Sequence, residues 1–340
     1  MKSLLRSQHA PLLATLVVLL ALFTTASVLY DGFFSLRVVS NLVGDNAFLG
    51  IAAVGMTFVI LSGGIDLSVG SMLAFTTILI ATLVQNHHVP PVIAMLTALV
   101  IGTAFGALMG FLIQRYELPP FLVTLGGMFF ARGMAFVISQ ESIGITNKFY
   151  DAAQGFGLPL SDRVSLPLTA LILLAVFVAG AVLAHATRFG RNVFAIGGSE
   201  SSARLMGLPV NFTKIAVYAL SGLCSVIAGI VATFYMGSGN PAFGVGFELD
   251  VIASVVIGGT LLTGGVGTIA GTLIGVLIFG TIQTALNFDG RLNSWWLRIA
   301  IGLLLLLFIL FQRFLSKVSA LSAQTEGKFD GRKPPAIIHS

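Results

Sequence analysis

Long apolar runs govern what this chain can become. Residues 11–30, 43–62, 67–84, 91–114, 121–139, 166–184, 213–236, 266–288 and 295–314 each approach the ~20 apolar residues that an α-helix needs to cross a bilayer. Lipid offers no hydrogen bonds to exposed peptide groups, so runs of this kind cross as helices. Residues 249–260 are apolar but too short to cross alone, and they read as a half-span or re-entrant segment. Counting that segment, the sequence predicts an all-α, polytopic integral membrane protein with about ten membrane segments in one transmembrane domain over residues 1–340.

Charge sets the orientation. Only 9% of residues are charged, against about 25% in soluble domains. The net charge of +5 sits in short loops between the runs, so it reads as a topology signal and no nucleic-acid partner is expected. Arg188, Arg191, Arg204 and Lys214 face one acid, Glu200; Arg313 at the end of the last run and Lys317, Lys328, Arg332 and Lys333 after it stand against Glu326 and Asp330. Residues 140–165 carry Lys148 and Arg163 against Glu141, Asp151 and Asp162. With the N-terminus inside, the loop 187–210 and a flexible tail over 315–340 are expected in the cytoplasm, and 140–165 outside. Lys2 and Arg6 raise a signal peptide, but the first run is too long for one and Thr25-Ala26-Ser27 is a weak cleavage site. An uncleaved first span is expected. Trp295 and Trp296 suit anchors at the outer interface. The single cysteine, Cys224, excludes an internal disulfide, a cysteine-based zinc site and a cluster-bound redox centre.

Polar residues inside the runs point to function. Asp66 follows Gly63-Gly64 and is flanked by Ser62, Ser68 and Ser71. An ionised carboxylate at the centre of a spanning helix costs roughly 2.5–3.5 kcal/mol, so it needs a partner or a cavity. Two readings stand for it, a cap on the following helix and a contact to a transported solute. The segment from Ser62 resembles the one from Thr263, where Gly264-Gly265 repeats the glycine pair. That predicts an internal structural repeat, with hinges at Gly63, Gly64, Gly264 and Gly265 beside a transport path. Arg132 lies within the fifth run, and pairing with an acid or a solute competes with snorkelling to the surface. Asp45 and Asn46, and Glu248 and Asp250 before the half-span, are expected on the outer side, lining a solute entrance or complementing helix dipoles.

The loop 187–210 holds a short helix, with Ser199 as its N-cap, Gly207 at its C′ position and Pro209 to end it. Ala203, Leu205 and Met206 are expected on one apolar side, either to dock onto a soluble motor or merely as part of a basic topogenic loop. No G-x-x-x-x-G-K-[ST], H-E-x-x-H or G-x-S-x-G motif occurs, and the histidines are scattered. Neither catalysis by these routes nor a bound metal or cofactor is expected.

Three stretches together resemble one family. Gly55-Met56-Thr57-Phe58 through Gly63-Gly64-Ile65-Asp66-Leu67-Ser68-Val69-Gly70-Ser71 is similar to the signature of the binding-protein-dependent monosaccharide permeases, the ribose, xylose and galactose group of ABC importers. Thr187-Arg188-Phe189-Gly190-Arg191, Ala195-Ile196-Gly197-Gly198 and Ala203-Arg204-Leu205-Met206-Gly207 resemble its ATPase-coupling region, and Glu248 through Thr260 is a third match. Asn287-Phe288-Asp289-Gly290 with Ser294-Trp295-Trp296 looks most like a permease of the bacterial galactofuranose importer. The resemblance implies a bacterial inner-membrane complex of two permease subunits, identical or different, with cytoplasmic ABC ATPases and a periplasmic sugar-binding protein. It assigns motor coupling to Arg188, Arg191, Gly197, Gly198, Glu200, Ala203, Arg204, Leu205, Met206 and Gly207. A stand-alone secondary transporter is the rival class, predicting uptake without ATPases and more buried acids than Asp66 alone.

Overall fold

A computed structural model describes residues 10–290 and 295–310. The tail 315–340 and Ser294 lie outside the described residues. The helices are α1 (Ala10–Leu29), α2 (Leu36–Asp45), α3 (Ala47–Leu61), α4 (Val69–Ala81, continued by a π-helical turn over Thr82–Asn86), α5 (Pro91–Arg115), α6 (Pro120–Ile138) and α7 (Lys148–Gly155). They continue with α8 (Leu168–Ala186), α9 (Arg188–Gly198), α10 (Glu200–Leu205), α11 (Val210–Met236), α12 (Phe247–Ile257), α13 (Ile269–Asp289) and α14 (Trp295–Leu310). Proline at the first position starts α5 and α6, where its missing N–H costs nothing. Thr187 and Thr268 cap α9 and α13 by accepting from the amides of Gly190 and Gly271.

Among the described residues, seven helices are long and apolar enough to cross a membrane, and up to eight if the bent pair α2–α3 is one span. This is fewer than the ten or so segments expected. The run 43–62 is not one straight helix. It breaks at Asn46, whose side-chain amide donates back to the Leu42 carbonyl (2.9 Å), and the two pieces meet at 53°. The helical path also begins earlier, at Leu36, where Ser35 caps the amphipathic α2 by accepting from the Val38 amide. The half-span is real as a helix but short: 11 residues of α12 reach only about 16 Å.

The chain is not purely helical either. β1 (Ile143–Gly144) pairs with β4 (Ser238–Gly239), and β2 (Gly157–Ser161) pairs with β3 (Val164–Pro167). With α7 they cover one end of the bundle, where the Tyr150 hydroxyl meets Thr233 Oγ1 (3.1 Å) and Gln154 donates to the Phe234 carbonyl.

The 27-residue α11 runs through the centre, with 67% of its most apolar window buried, against 11% for α1. Its small residues admit neighbours closely. A Cβ at Gly222 would collide with the Gly102 carbonyl of α5, and one at Gly55 of α3 would lie 2.8 Å from Cys224 Cβ. Outward, Val17, Leu20, Val100, Phe129, Phe130, Val178, Leu303 and Leu307 are exposed apolar side chains, a surface that suits lipid. Trp295 and Trp296 are exposed at the start of α14, and the Arg298 guanidinium lies 5.8 Å from the Trp295 ring centroid.

The two Gly-Gly breaks, α3 to α4 and α12 to α13, lie side by side. The resemblance is local. The helices flanking the first break have 15 and 13 residues and those flanking the second 11 and 21, so the helix lengths do not carry a repeat of whole halves.

Candidate functional site

The chain between Leu61 and Val69 leaves helical geometry, and that break organises the site. Gly63 turns at φ +81°, a conformation that a Cβ disfavours. Asp66 therefore sits in an unwound stretch and not at the centre of a helix. It is 1% exposed. Its Oδ1 accepts from the Ser68 amide (2.9 Å) and the Ser68 hydroxyl (2.7 Å), and its Oδ2 accepts from the Ser221 hydroxyl (2.7 Å). Asp66 thus secures the entry to α4 and ties it to α11 near mid-length, since Ser221 is the twelfth residue of the 27 in α11. Ser68 itself holds the N-cap position of α4.

The second arm of the site comes from the connection between β4 and α12. This segment does not stay at the outer end. It descends along α4: Gly239 lies against the Thr77 carbonyl, and Gly244 is packed on the Gly70 backbone. Arg132 of α6 fastens the descent, its Nη1 donating to the Pro241 (2.8 Å) and Phe243 (2.7 Å) carbonyls and its Nη2 to the Gly244 carbonyl (3.2 Å). Arg132 is therefore a clamp on backbone carbonyls and does not snorkel to the surface.

The expectation of an outer-side Glu248 changes accordingly. Its Oε2 is buried beside the first turn of α4, where a Cβ at Gly70 would lie 2.6 Å away, and no side-chain hydrogen-bond partner reaches it. Two half-helices, α4 and α12, so begin next to each other inside the bundle, with Asp66 and Ser68 leading into the one that carries Ser71, and Glu248 and Asp250 on the other. Helix starts carry partial positive charge and free amides, which suit polar or anionic groups. Glu248 also lies in the electrostatic reach of Arg132 and Arg298. Asn46 does not join this group; it is buried at the α2–α3 bend against Gly280 of α13.

Four residues here escaped sequence reading. Tyr218, Ser221 and Ser225 recur at helical spacing on α11, and all three are buried. The signal was a polar stripe at i, i+3 and i+7 within an apolar run. The fourth, Arg298, lies early in α14, and its guanidinium approaches Gly246 at the start of α12.

At the basic end of the bundle, Ser199 caps α10 by accepting from the Ser202 amide (3.3 Å), and Gly207 follows at φ +74° with its amide bonded to the Arg204 carbonyl. A helix not anticipated, α9, precedes it and leaves Arg188 and Arg191 exposed. Ala203, Leu205 and Met206 do not share a face. At about 100° per residue, positions 203 and 205 point about 160° apart around the helix axis. Ala203 is buried with Ile196 and Val210, while Leu205 and Met206 are 90% and 67% exposed. Glu200 ion-pairs with Arg204 (2.9 Å) and with Lys214 of α11. Burial alone would raise its carboxyl, but hydrogen bonds and charge from Lys214 and Arg204 outweigh burial and hold it below the usual value. A hollow of about 500 Å³ opens beside this helix, lined by Arg204, Leu208, Pro209, Val210, Asn211 and Phe212.

The pairs Gly63-Gly64, Gly197-Gly198 and Gly264-Gly265 meet. The Gly265 amide donates to the Leu61 carbonyl (2.9 Å), joining the two breaks. A Cβ at Gly264 would lie 2.9 Å from the Gly63 nitrogen and 3.1 Å from Gly197 Cα; one at Gly265 would lie 2.8 Å from Gly198 Cα.

Comparison with known proteins matches this architecture. Residues 38–309 match the family described as branched-chain amino acid transport system / permease component. The inner membrane ABC transporter permease protein YjfF of Escherichia coli K12 is 50% identical over 91% of this chain and 93% of its own length. The fructose import permease FruG of Bifidobacterium longum is 40% identical over 90% of this chain and 91% of its own, and the ribose import permease RbsC of Escherichia coli K12 39% over 87% and 92%. The family match takes in α3 to α13 and both breaks, which makes the chain a member of that permease-component family: a multi-pass inner-membrane transport subunit of the ABC type, not an enzyme, with ATP hydrolysis on separate subunits.

Proposed function

We propose that this chain is the membrane-spanning permease of an ATP-driven importer that passes a monosaccharide from a periplasmic binding protein into the cytoplasm. Carrying this reading is the likeness, over about nine-tenths of the chain, to permeases named for fructose and ribose import. Galactofuranose is the finer assignment, supported by the resemblance of Asn287 to Gly290 with Trp295-Trp296. Cytoplasmic ABC ATPases and a second permease subunit, identical or different, complete the assembly. Family membership leaves the stand-alone secondary transporter without support.

In this reading, the half-helix starts of α4 and α12 offer the polar station on an otherwise apolar route. Asp66, Ser68, Ser71, Glu248 and Asp250 supply groups that hydrogen-bond sugar hydroxyls, with Arg132 holding the α12 arm in place. A few such groups suit transport, because tight binding would slow release. The motor docks on the exposed Leu205 and Met206 beside the hollow at Phe212, since exposed apolar side chains on a basic surface gain by burial in a partner groove.

The test is uptake of labelled monosaccharides into proteoliposomes holding permease, ATPase and binding protein. Uptake should require ATP and be competed best by galactofuranose. Leu205→Asp/Met206→Asp should insert normally yet lose both the co-purifying ATPase and uptake, because charge is driven into an apolar contact. ATP-independent uptake, or a double variant that keeps its ATPase, would overturn the reading.

A further inference from the structure

We infer that Gly197 is the point at which movement of the cytoplasmic helices reaches both helix breaks at once; this rests on the importer reading above. The end of α9 abuts the hydrogen bond that joins the breaks. A Cβ at Gly197 would collide with the Leu61 carbonyl and lie 2.5 Å from the Gly265 nitrogen, the acceptor and the donor of that bond. Leu61 ends α3 and leads through Asp66 into α4, while Gly265 lies between α12 and α13. The two half-helices that carry the polar station are thus the ones reached from this point.

The input side is stiff. Ser199 caps α10 directly after α9, and Ile196, Ala203 and Val210 form one small core between α9, α10 and the start of α11. Val193 is buried, and the Phe189 ring lies 6.1 Å from that of Phe58 on α3. A push on α10 therefore displaces the tip of α9 as a unit, and the tip has only backbone to push against. Packed backbone transmits displacement better than flexible side chains, which relax by changing rotamer. Gly126, on the exposed side of α6 and away from both breaks, provides a control. Its added Cβ would meet nothing within 4 Å.

The experiment compares Gly197→Ala with Gly126→Ala in the assembled transporter in proteoliposomes, reading ATP hydrolysis and uptake together. Gly197→Ala should assemble and hydrolyse ATP at close to the wild-type rate while sugar moved per ATP falls about tenfold, within the range of ordinary coupling energies. Gly126→Ala should leave the ratio unchanged. Wild-type stoichiometry in Gly197→Ala, or hydrolysis and uptake lost in equal proportion, would overturn the inference, the latter marking a merely structural role. Should Gly197→Ala fail to accumulate, hydrogen exchange on the wild-type complex decides. A non-hydrolysable ATP analogue should alter protection over 61–66, 196–199 and 263–267 together, and a change confined to one break would overturn the inference. Failure of the importer reading shows separately, as wild-type uptake that needs no ATP.

Discussion

Replacing Asp66 tests the break most directly. Asp66→Asn keeps Oδ1 for the Ser68 amide and hydroxyl, and its new NH₂ donates to the Ser221 hydroxyl, which turns from donor to acceptor. One hydrogen bond is reversed and none is lost, so the cost should stay within about 1 kcal/mol. Asp66→Leu removes both acceptors at a site 1% exposed. The Ser68 amide is left without a partner, at about 1–3 kcal/mol. The hydroxyls can turn elsewhere, Ser221 toward a carbonyl one turn back as Ser225 already does. A branched methyl pair must then fit where oxygens stood 2.7 Å from hydroxyls, adding about 1–3 kcal/mol of overpacking. The sum, about 2–6 kcal/mol, separates the two variants clearly. Thermal retention of monodisperse protein in detergent should rank wild type and Asn close together, with Leu several degrees lower, and uptake should follow the same order. Equal loss of uptake in both variants at normal abundance and stability would refute the argument from hydrogen bonds and indicate that transport needs the charge.

Two further outcomes follow from packing and charge. Gly106→Ala should reduce thermal stability by about 1–3 kcal/mol, because the methyl meets the Tyr218 carbonyl of α11, whereas Gly133→Ala on α6, with nothing within 4 Å, should gain up to about 1 kcal/mol from helix propensity; equal effects in melting assays would contradict the α5–α11 contact. Glu200 has a depressed folded pKa, so its ion pairs stabilise fully above the unfolded value near 4.5 and are lost as pH falls through the lower folded value. Glu200→Gln should therefore lower stability by about 0–1 kcal/mol at pH 7 and progressively less below pH 4.5, and a deficit that grows on acidification would contradict the pairing.

Much of this protein is legible in its chain. Apolar run length locates the membrane helices, because lipid leaves a backbone no alternative. Local chemistry likewise marks the Asp66–Ser68 bonds and the Ser199 cap, both made to neighbours within a few residues. The tertiary structure decided the rest. Hydropathy averages over a window, so it could not see the 53° bend at Asn46 or the pairing of β1 with β4, where Ile143 meets Gly239 and Gly144 meets Ser238. Glu248 reads as an outer-surface residue until Arg132 is seen drawing its loop down along α4. Ser221 and Tyr218 look like ordinary core residues until α11 passes Asp66. Apolar patterning states which residues avoid water; which of them meet depends on how closely backbones approach, and here glycines set that distance through contacts between segments far apart in sequence, such as Leu61, Gly197 and Gly265.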